Sequence, residues 1–168
     1  MPKVDNNFKF LLENVTRRLS RNNLTIASAE SCTGGLFSSS ITDISGSSDY
    51  FILGVVAYSG FQKERLLKIP KHTLQRYSPV SKQVCRMMAQ NVKKLAKAAI
   101  GIGITGYAGP FGGTAKNPKG TVYIGVSFKE KMLVKRFLFK GNRIEVKRKT
   151  VEEALRLLHD VLVNEFTS

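Results

Sequence analysis

Leu24-Thr25-Ile26-Ala27-Ser28-Ala29-Glu30-Ser31-Cys32-Thr33-Gly34-Gly35-Leu36-Phe37-Ser38-Ser39-Ser40-Ile41-Thr42 reads as a strand, a corner and a helix. Residues 24–28 are short and apolar, which fits a strand, and the chain turns through 30–33. Residues 34–42 suit a small-residue helix lying close against a sheet. Working outward, residues 5–22 place Phe8, Leu11, Leu12, Val15 and Leu19 at helical spacing, ahead of the strand. Residues 50–59 read as a buried strand in which Gly54 marks a bulge or a close approach. Short helices follow at 62–68 and 73–77, split by Pro70. Ser81 then caps a longer helix with the stripe Val84, Met88, Val92 and Leu95. Residues 100–105 form another apolar strand running into a loop over 106–119. Strands over 121–128 and 132–139 form a hairpin joined by Lys129-Glu130-Lys131, and a helix from Asn142 closes the chain. Early alternation with a late hairpin predicts one α/β domain over 1–168, a three-layer α/β/α sandwich with a mixed sheet.

Composition excludes several classes. The hydrophobic share of 42% and charged share of 23% are those of an ordinary globular protein. No stretch is continuously apolar enough for a membrane span, and no secretory signal opens the chain. Two cysteines are too few for a disulfide framework, which fits a reduced, cytoplasmic protein. Two histidines and no carboxylate cluster give no metal site, so neither metal nor cofactor is expected. The net charge of +15 allows non-specific polyanion binding. Its cations flank the glycine-rich segments and do not enter them: none lies between Arg21 and Lys63, or between Lys97 and Lys116.

Three constellations can carry chemistry. At the corner after residues 24–28, Ser31 is placed as a nucleophile with Cys32 as its rival. Gly34 and Gly35 let a ligand approach backbone N–H groups suited to an oxyanion or a phosphate. Ser31 or Thr33 could equally be a helix cap. Gly101 to Thr114 is a second glycine-rich segment at a strand end, with neither a phosphate-loop lysine nor a dinucleotide fingerprint. Tyr58 with Lys63 could share the same rim, as a proton donor and a base, or be a core-edge aromatic and a surface lysine.

These residues together resemble a known family. Ala29-Glu30-Ser31-Cys32-Thr33-Gly34-Gly35, then Gly54-Val55-Val56-Ala57-Tyr58-Ser59, then Thr105-Gly106-Tyr107-Ala108-Gly109-Pro110 with Gly112-Gly113-Thr114 and Gly120-Thr121-Val122-Tyr123-Ile124, are similar to the CinA C-terminal domain, the nicotinamide-nucleotide amidase family. The resemblance implies deamidation of nicotinamide mononucleotide to nicotinate mononucleotide and ammonia, in pyridine-nucleotide recycling. The alternative is a catalytically degenerate nucleotide-binding or basic nucleic-acid-associated relative. The nucleotide would be the small-molecule partner, and homo-oligomers are compatible with the family. Joined to the reading above, the family implies Ser31 as nucleophile, Lys63 as general base and acid, and Tyr58 and Thr105 as relay or orienting groups. Substrate contacts would come from Glu30, Thr33, Gly34, Gly35, Gly106, Gly112, Gly113, Thr114 and Arg143. Where the family carries Gly-Asp-Arg and a further Arg four residues on, this chain has Gly141-Asn142-Arg143 and Lys147.

Overall fold

The computed structural model describes residues 6–166. Its strands are β1 (Ile26–Glu30), β2 (Phe51–Val56), β3 (Ile100–Gly106), β4 (Thr121–Phe128) and β5 (Lys131–Leu138). They form a single sheet in the order β2-β1-β3-β4-β5. β1 lies parallel to both β2 and β3, whereas β4 runs antiparallel to β3 and β5. Helices α1 (Asn6–Arg21), α2 (Leu36–Thr42) and α6 (Arg143–Phe166) cover one face. Helices α3 (Gly60–Leu67), α4 (Lys71–Tyr77) and α5 (Lys82–Ala96) cover the other. The sandwich is therefore three-layered and its sheet mixed, as expected. No helix among the described residues is long and apolar enough to cross a membrane.

Each face has its own core. Leu12, Val15, Leu19, Phe37, Leu155 and Leu158 bury against Ile102 and Ile124 on the α1/α2/α6 side. Leu67, Leu74, Val84, Met88 and Val92 bury against Ala27 and Ala29 on the other. The chain leaves β1 toward β2 and returns past β1 to β3, so the strand order reverses at β1. The ends of β1 and β3 flank that reversal, the position at which open α/β sheets place ligands.

Two glycines of the second glycine-rich segment, within β3, serve packing. A Cβ at Gly101 would lie 2.0 Å from the Ala89 carbonyl oxygen, and one at Gly103 would lie 2.6 Å from that of Cys85. Hydrogen at both positions lets α5 settle its backbone on β3. Gly54 proves a close approach and no bulge: a Cβ there would lie 2.6 Å from Ser38 Oγ, while the register slips two positions earlier, at Ile52, opposite Ile26 and Ala27.

Boundaries moved for identifiable reasons. β1 runs through Glu30 and does not end at residue 28, because its last residues continue the ladder with Val55 and Val56. β2 ends at Val56, earlier than expected, and Ser59 caps α3 by accepting from the Gln62 N–H. Ser81 caps α5 as expected, accepting from the Val84 N–H. Leu95 is exposed, since the buried stripe of α5 steps from Val92 to Ala96. The hairpin turn is the pair Lys129-Glu130, with Lys129 at φ +50°. Asp5, the expected start of α1, lies outside the described residues.

Candidate active site

Ser31 is the first residue after β1 and sits in the turn that leads into α2. The turn closes with the Gly34 N–H donating to the Ser31 carbonyl at 3.0 Å. Gly34 and Gly35 take φ of +61° and +93°, left-handed values that a side chain would strain. Behind the turn, Glu30 holds the start of α2. Its Oε2 accepts from the N–H of Gly35 and of Phe37, both at 3.1 Å. Its Oε1 accepts from the Ser38 N–H at 2.9 Å and from the Ser38 hydroxyl at 2.6 Å. Glu30 is wholly buried, so it anchors the corner from inside and is not a substrate contact. Replacing it with alanine should leave these donors unmatched and cost on the order of 3 kcal/mol. Urea unfolding of Glu30→Ala beside the unsubstituted protein reads this directly; a change within 0.5 kcal/mol or so would refute the anchoring role.

Lys63 completes the centre. It lies one turn into α3, and its side chain folds back toward the helix start, the direction in which helical side chains tilt. Only 2% of Lys63 and 6% of Ser31 is exposed. Nζ stands 2.9 Å from Ser31 Oγ, 2.9 Å from the Ala57 carbonyl and 3.4 Å from the Tyr58 carbonyl. No carboxylate salt bridge reaches it among the described residues. Burial therefore disfavours its charge and lowers its pKa from 10.5 to about 8. At neutral pH a useful fraction is the free amine, oriented by two carbonyls and directed at a serine hydroxyl.

The rival nucleophile is disarmed. Cys32 is buried, and burial pushes its thiol up to about 12, so it stays protonated. Cys85 donates to the Gly103 carbonyl at 3.3 Å in the α5–β3 core. Among the described residues, no group of three His, Cys, Asp or Glu side chains gathers to hold a metal.

The other expected site residues divide. Tyr58 projects into solvent, and its hydroxyl accepts from Arg143 Nη2; its carbonyl, not its ring, meets Lys63 and, at 3.5 Å, Ser31 Oγ. Arg143 Nη1 donates to the Gly109 carbonyl at 2.6 Å, which ties the start of α6 to the loop after β3. Gly34 is exposed and Gly35 half-buried at the corner surface. Thr105 is buried with its hydroxyl donating to the Pro79 carbonyl at 2.8 Å, so it fixes the α4–α5 link to the end of β3. Thr33 is also fully enclosed, and its hydroxyl has no partner. Gly106 packs over β4, where a Cβ would strike the Thr121 carbonyl at 2.7 Å. Gly112, Gly113 and Thr114 lie on the exposed loop, where Thr114 accepts from the Asn117 N–H. Arg143 meets this loop at Gly109 and not at Gly112–Thr114.

Lys147 is the residue underweighted in the sequence. Its Nζ lies 3.6 Å from where a Cβ on Gly34 would stand. Arg143 and Lys147, four residues apart on α6, thus bring two cations to the mouth of the Ser31 corner. Their spacing was visible; the corner they face was not. Two surface hollows lie elsewhere, one lined by Glu13, Arg17, Gly46 and Tyr50, the other by Phe10, Asn14, Arg156 and His159. Neither has a nucleophile beside a base, so chemistry rather than concavity identifies the site.

Comparison with known proteins agrees with this architecture. A profile of the CinA C-terminal domain matches residues 9–162. A protein of Thermoanaerobacter pseudethanolicus named as competence-damage inducible is 45% identical over 151 residues, 90% of this chain and 37% of its own length. A CinA-like protein of Endomicrobium trichonymphae is 44% identical over 147 residues, 88% of this chain and 34% of its own. The chain thus spans just over a third of the curated relatives it matches. Among solved structures, a CinA superfamily protein of Klebsiella pneumoniae superposes with a TM-score of 0.90 at 31% identity, covering 95% of this chain and 99% of that one. A competence/damage inducible protein of Agrobacterium tumefaciens gives 0.91 at 30% identity, covering 96% and 99%. The chain belongs to the CinA C-terminal domain family.

Proposed function

We propose that this chain is an amidohydrolase that converts nicotinamide mononucleotide to nicotinate mononucleotide and ammonia. The observation that carries the reading is the buried pair Ser31 Oγ and Lys63 Nζ at 2.9 Å. In the free-amine form, Lys63 takes the Ser31 proton as Oγ attacks the carboxamide carbon. The carbonyl oxygen becomes an oxyanion, for which the Cys32 N–H, which donates to no other residue among the described residues, is an available donor. Collapse of the tetrahedral intermediate breaks the C–N bond while the Lys63 ammonium protonates the leaving nitrogen, releasing ammonia and an acyl-serine ester. Water then attacks that ester with Lys63 again as base, freeing the carboxylate and restoring Ser31. The cationic pyridinium of the substrate withdraws electrons from the carbonyl and favours attack.

Arg143 and Lys147 suit the 5′-phosphate, as two cations at the corner mouth. The test is ammonia release from nicotinamide mononucleotide, run beside nicotinamide riboside, which lacks the phosphate. Turnover of the nucleotide is expected, with Arg143→Met and Lys147→Met each raising KM about tenfold and changing kcat little. Equal KM for nucleotide and riboside would sink the phosphate assignment. Absence of turnover, with nucleotide still raising Tm, would make the chain a binding module.

A further inference from the structure

We infer that the layer formed by α3, α4 and α5 is a docking face for the phosphodiester backbone of double-stranded nucleic acid, met without regard to base sequence. Residues 60–97 hold ten cations and one acid, Glu64. Lys63 is buried and Lys93 half-buried, while the other eight stand exposed. None of the ten enters a salt bridge among the described residues. The opposite layer differs: α1 and α6 carry six acids, and Lys9 and Arg156 are paired with three of them. Beyond the end of α5, where Lys93 donates to the Lys129 carbonyl, Glu130 stands between Lys129 and Lys131 and is outnumbered there.

These cations lie where helix formation disfavours them. No acid stands in the first turn of α3, α4 or α5, while Lys71 and Lys82 open α4 and α5 against the helix dipole. Lys82 and Arg86 repel each other four residues apart, and Lys93 continues their line seven residues on. An external row of anions relieves both costs, with Gln83 and Gln90 beside the line as neutral donors to phosphate oxygens. The face suits a backbone more than bases. No aromatic side chain lies on α5 for bases to stack on, and the Tyr77 ring on α4 faces the Arg76 guanidinium, 5.4 Å away. A membrane surface is a poorer match, because a helix lying in it inserts large apolar side chains. α5 turns Val84, Met88 and Val92 into the core and leaves Leu95 outside. The exposed Phe61 and Leu66 stand on α3, not among the cations of α5.

Anisotropy of a labelled duplex of about 20 base pairs, titrated with the full chain between about 50 and 200 mM salt, tests this. Log affinity is expected to fall with log salt at a slope of about −4 or steeper, and about equally for duplexes of different sequence. Lys82→Gln with Arg86→Gln and Lys94→Gln should flatten that slope by about 2 to 3 and raise Kd at least about tenfold. Arg17→Gln with Arg21→Gln and Arg148→Gln removes the same charge from the other layer and should change Kd less than about threefold. No binding at the lowest salt would overturn the proposal. Equal weakening by the two variants would overturn it too, since net charge without a particular face would then suffice. Sedimentation with phosphatidylserine vesicles in place of duplex binding would assign the face to a membrane and overturn it equally. Should the first variant not fold, lysine acetylation of the unsubstituted protein decides. Duplex should then protect Lys82, Lys94 and Lys97 and leave Lys9 reactive, and uniform reactivity overturns the proposal.

Discussion

Ser31→Ala is expected to lower kcat/KM for amide hydrolysis by at least about a thousandfold while leaving the fold intact. The size follows from the division of labour. Without the hydroxyl there is no acyl-serine, and water must attack the amide directly from a site built to exclude it. What survives is whatever binding and oxyanion contact contribute. Stability should hardly move, because the hydroxyl has little structural work: it accepts from Lys63 and makes one long contact with the Tyr58 carbonyl. Lys63 keeps the Ala57 and Tyr58 carbonyls as acceptors in the variant. Cys32→Ala is the matched control. Its buried thiol, held up to about 12, cannot supply a thiolate at neutral pH, so activity should stay within a few-fold of the unsubstituted protein. If Cys32→Ala were inactive and Ser31→Ala active, the nucleophile would have to be reassigned.

Much of this was legible in one stretch of sequence, and the reason is local. The strand, turn and helix around Ser31 are consecutive, so the corner is fixed by neighbours whose identities can be read in order. The same holds for Ser81, whose capping partner lies three residues on. Failures came where one residue's partner lies far along the chain. Thr105 stands at a strand end as a relay residue would, but its hydroxyl belongs to Pro79, a partner no spacing rule predicts. Glu30 beside a nucleophile suggests substrate contact, yet four donors from the start of α2 occupy it. The segment from Gly101 onward mixes two purposes under one composition. Its first glycines admit a helix backbone, and only the part beyond Gly106 forms the loop that Arg143 tethers. Lys63 was ambiguous for the same reason. A run of cations predicts solvent, and only the position of α3 against the ends of β1 and β2 turns this one inward.

That inward turn has a consequence for stability as well as for rate. Burial lowers the Lys63 pKa from 10.5 to about 8, so between these values the unfolded chain binds more protons than the folded one. Folding stability must therefore rise with pH across that window, and the full penalty is present below about 8. Relative to Lys63→Met, which cannot titrate, the unsubstituted protein should gain on the order of 3 kcal/mol between pH 7 and pH 10.5. Subtracting the variant's curve removes the contribution of every other titrating group. Activity should respond through the same proton. kcat/KM should climb with pH and level off near 8 as the free amine forms, and Lys63→Met should lose about a hundredfold or more at every pH. Urea unfolding of both proteins at three pH values, with the pH–rate profile, tests the two limbs together. A stability difference that stays flat across the window would mean that Lys63 does not titrate there. A rate rising well above or below pH 8 would show that some other group is the base. Agreement of the two midpoints would tie a cost in folding and a gain in catalysis to one buried amine.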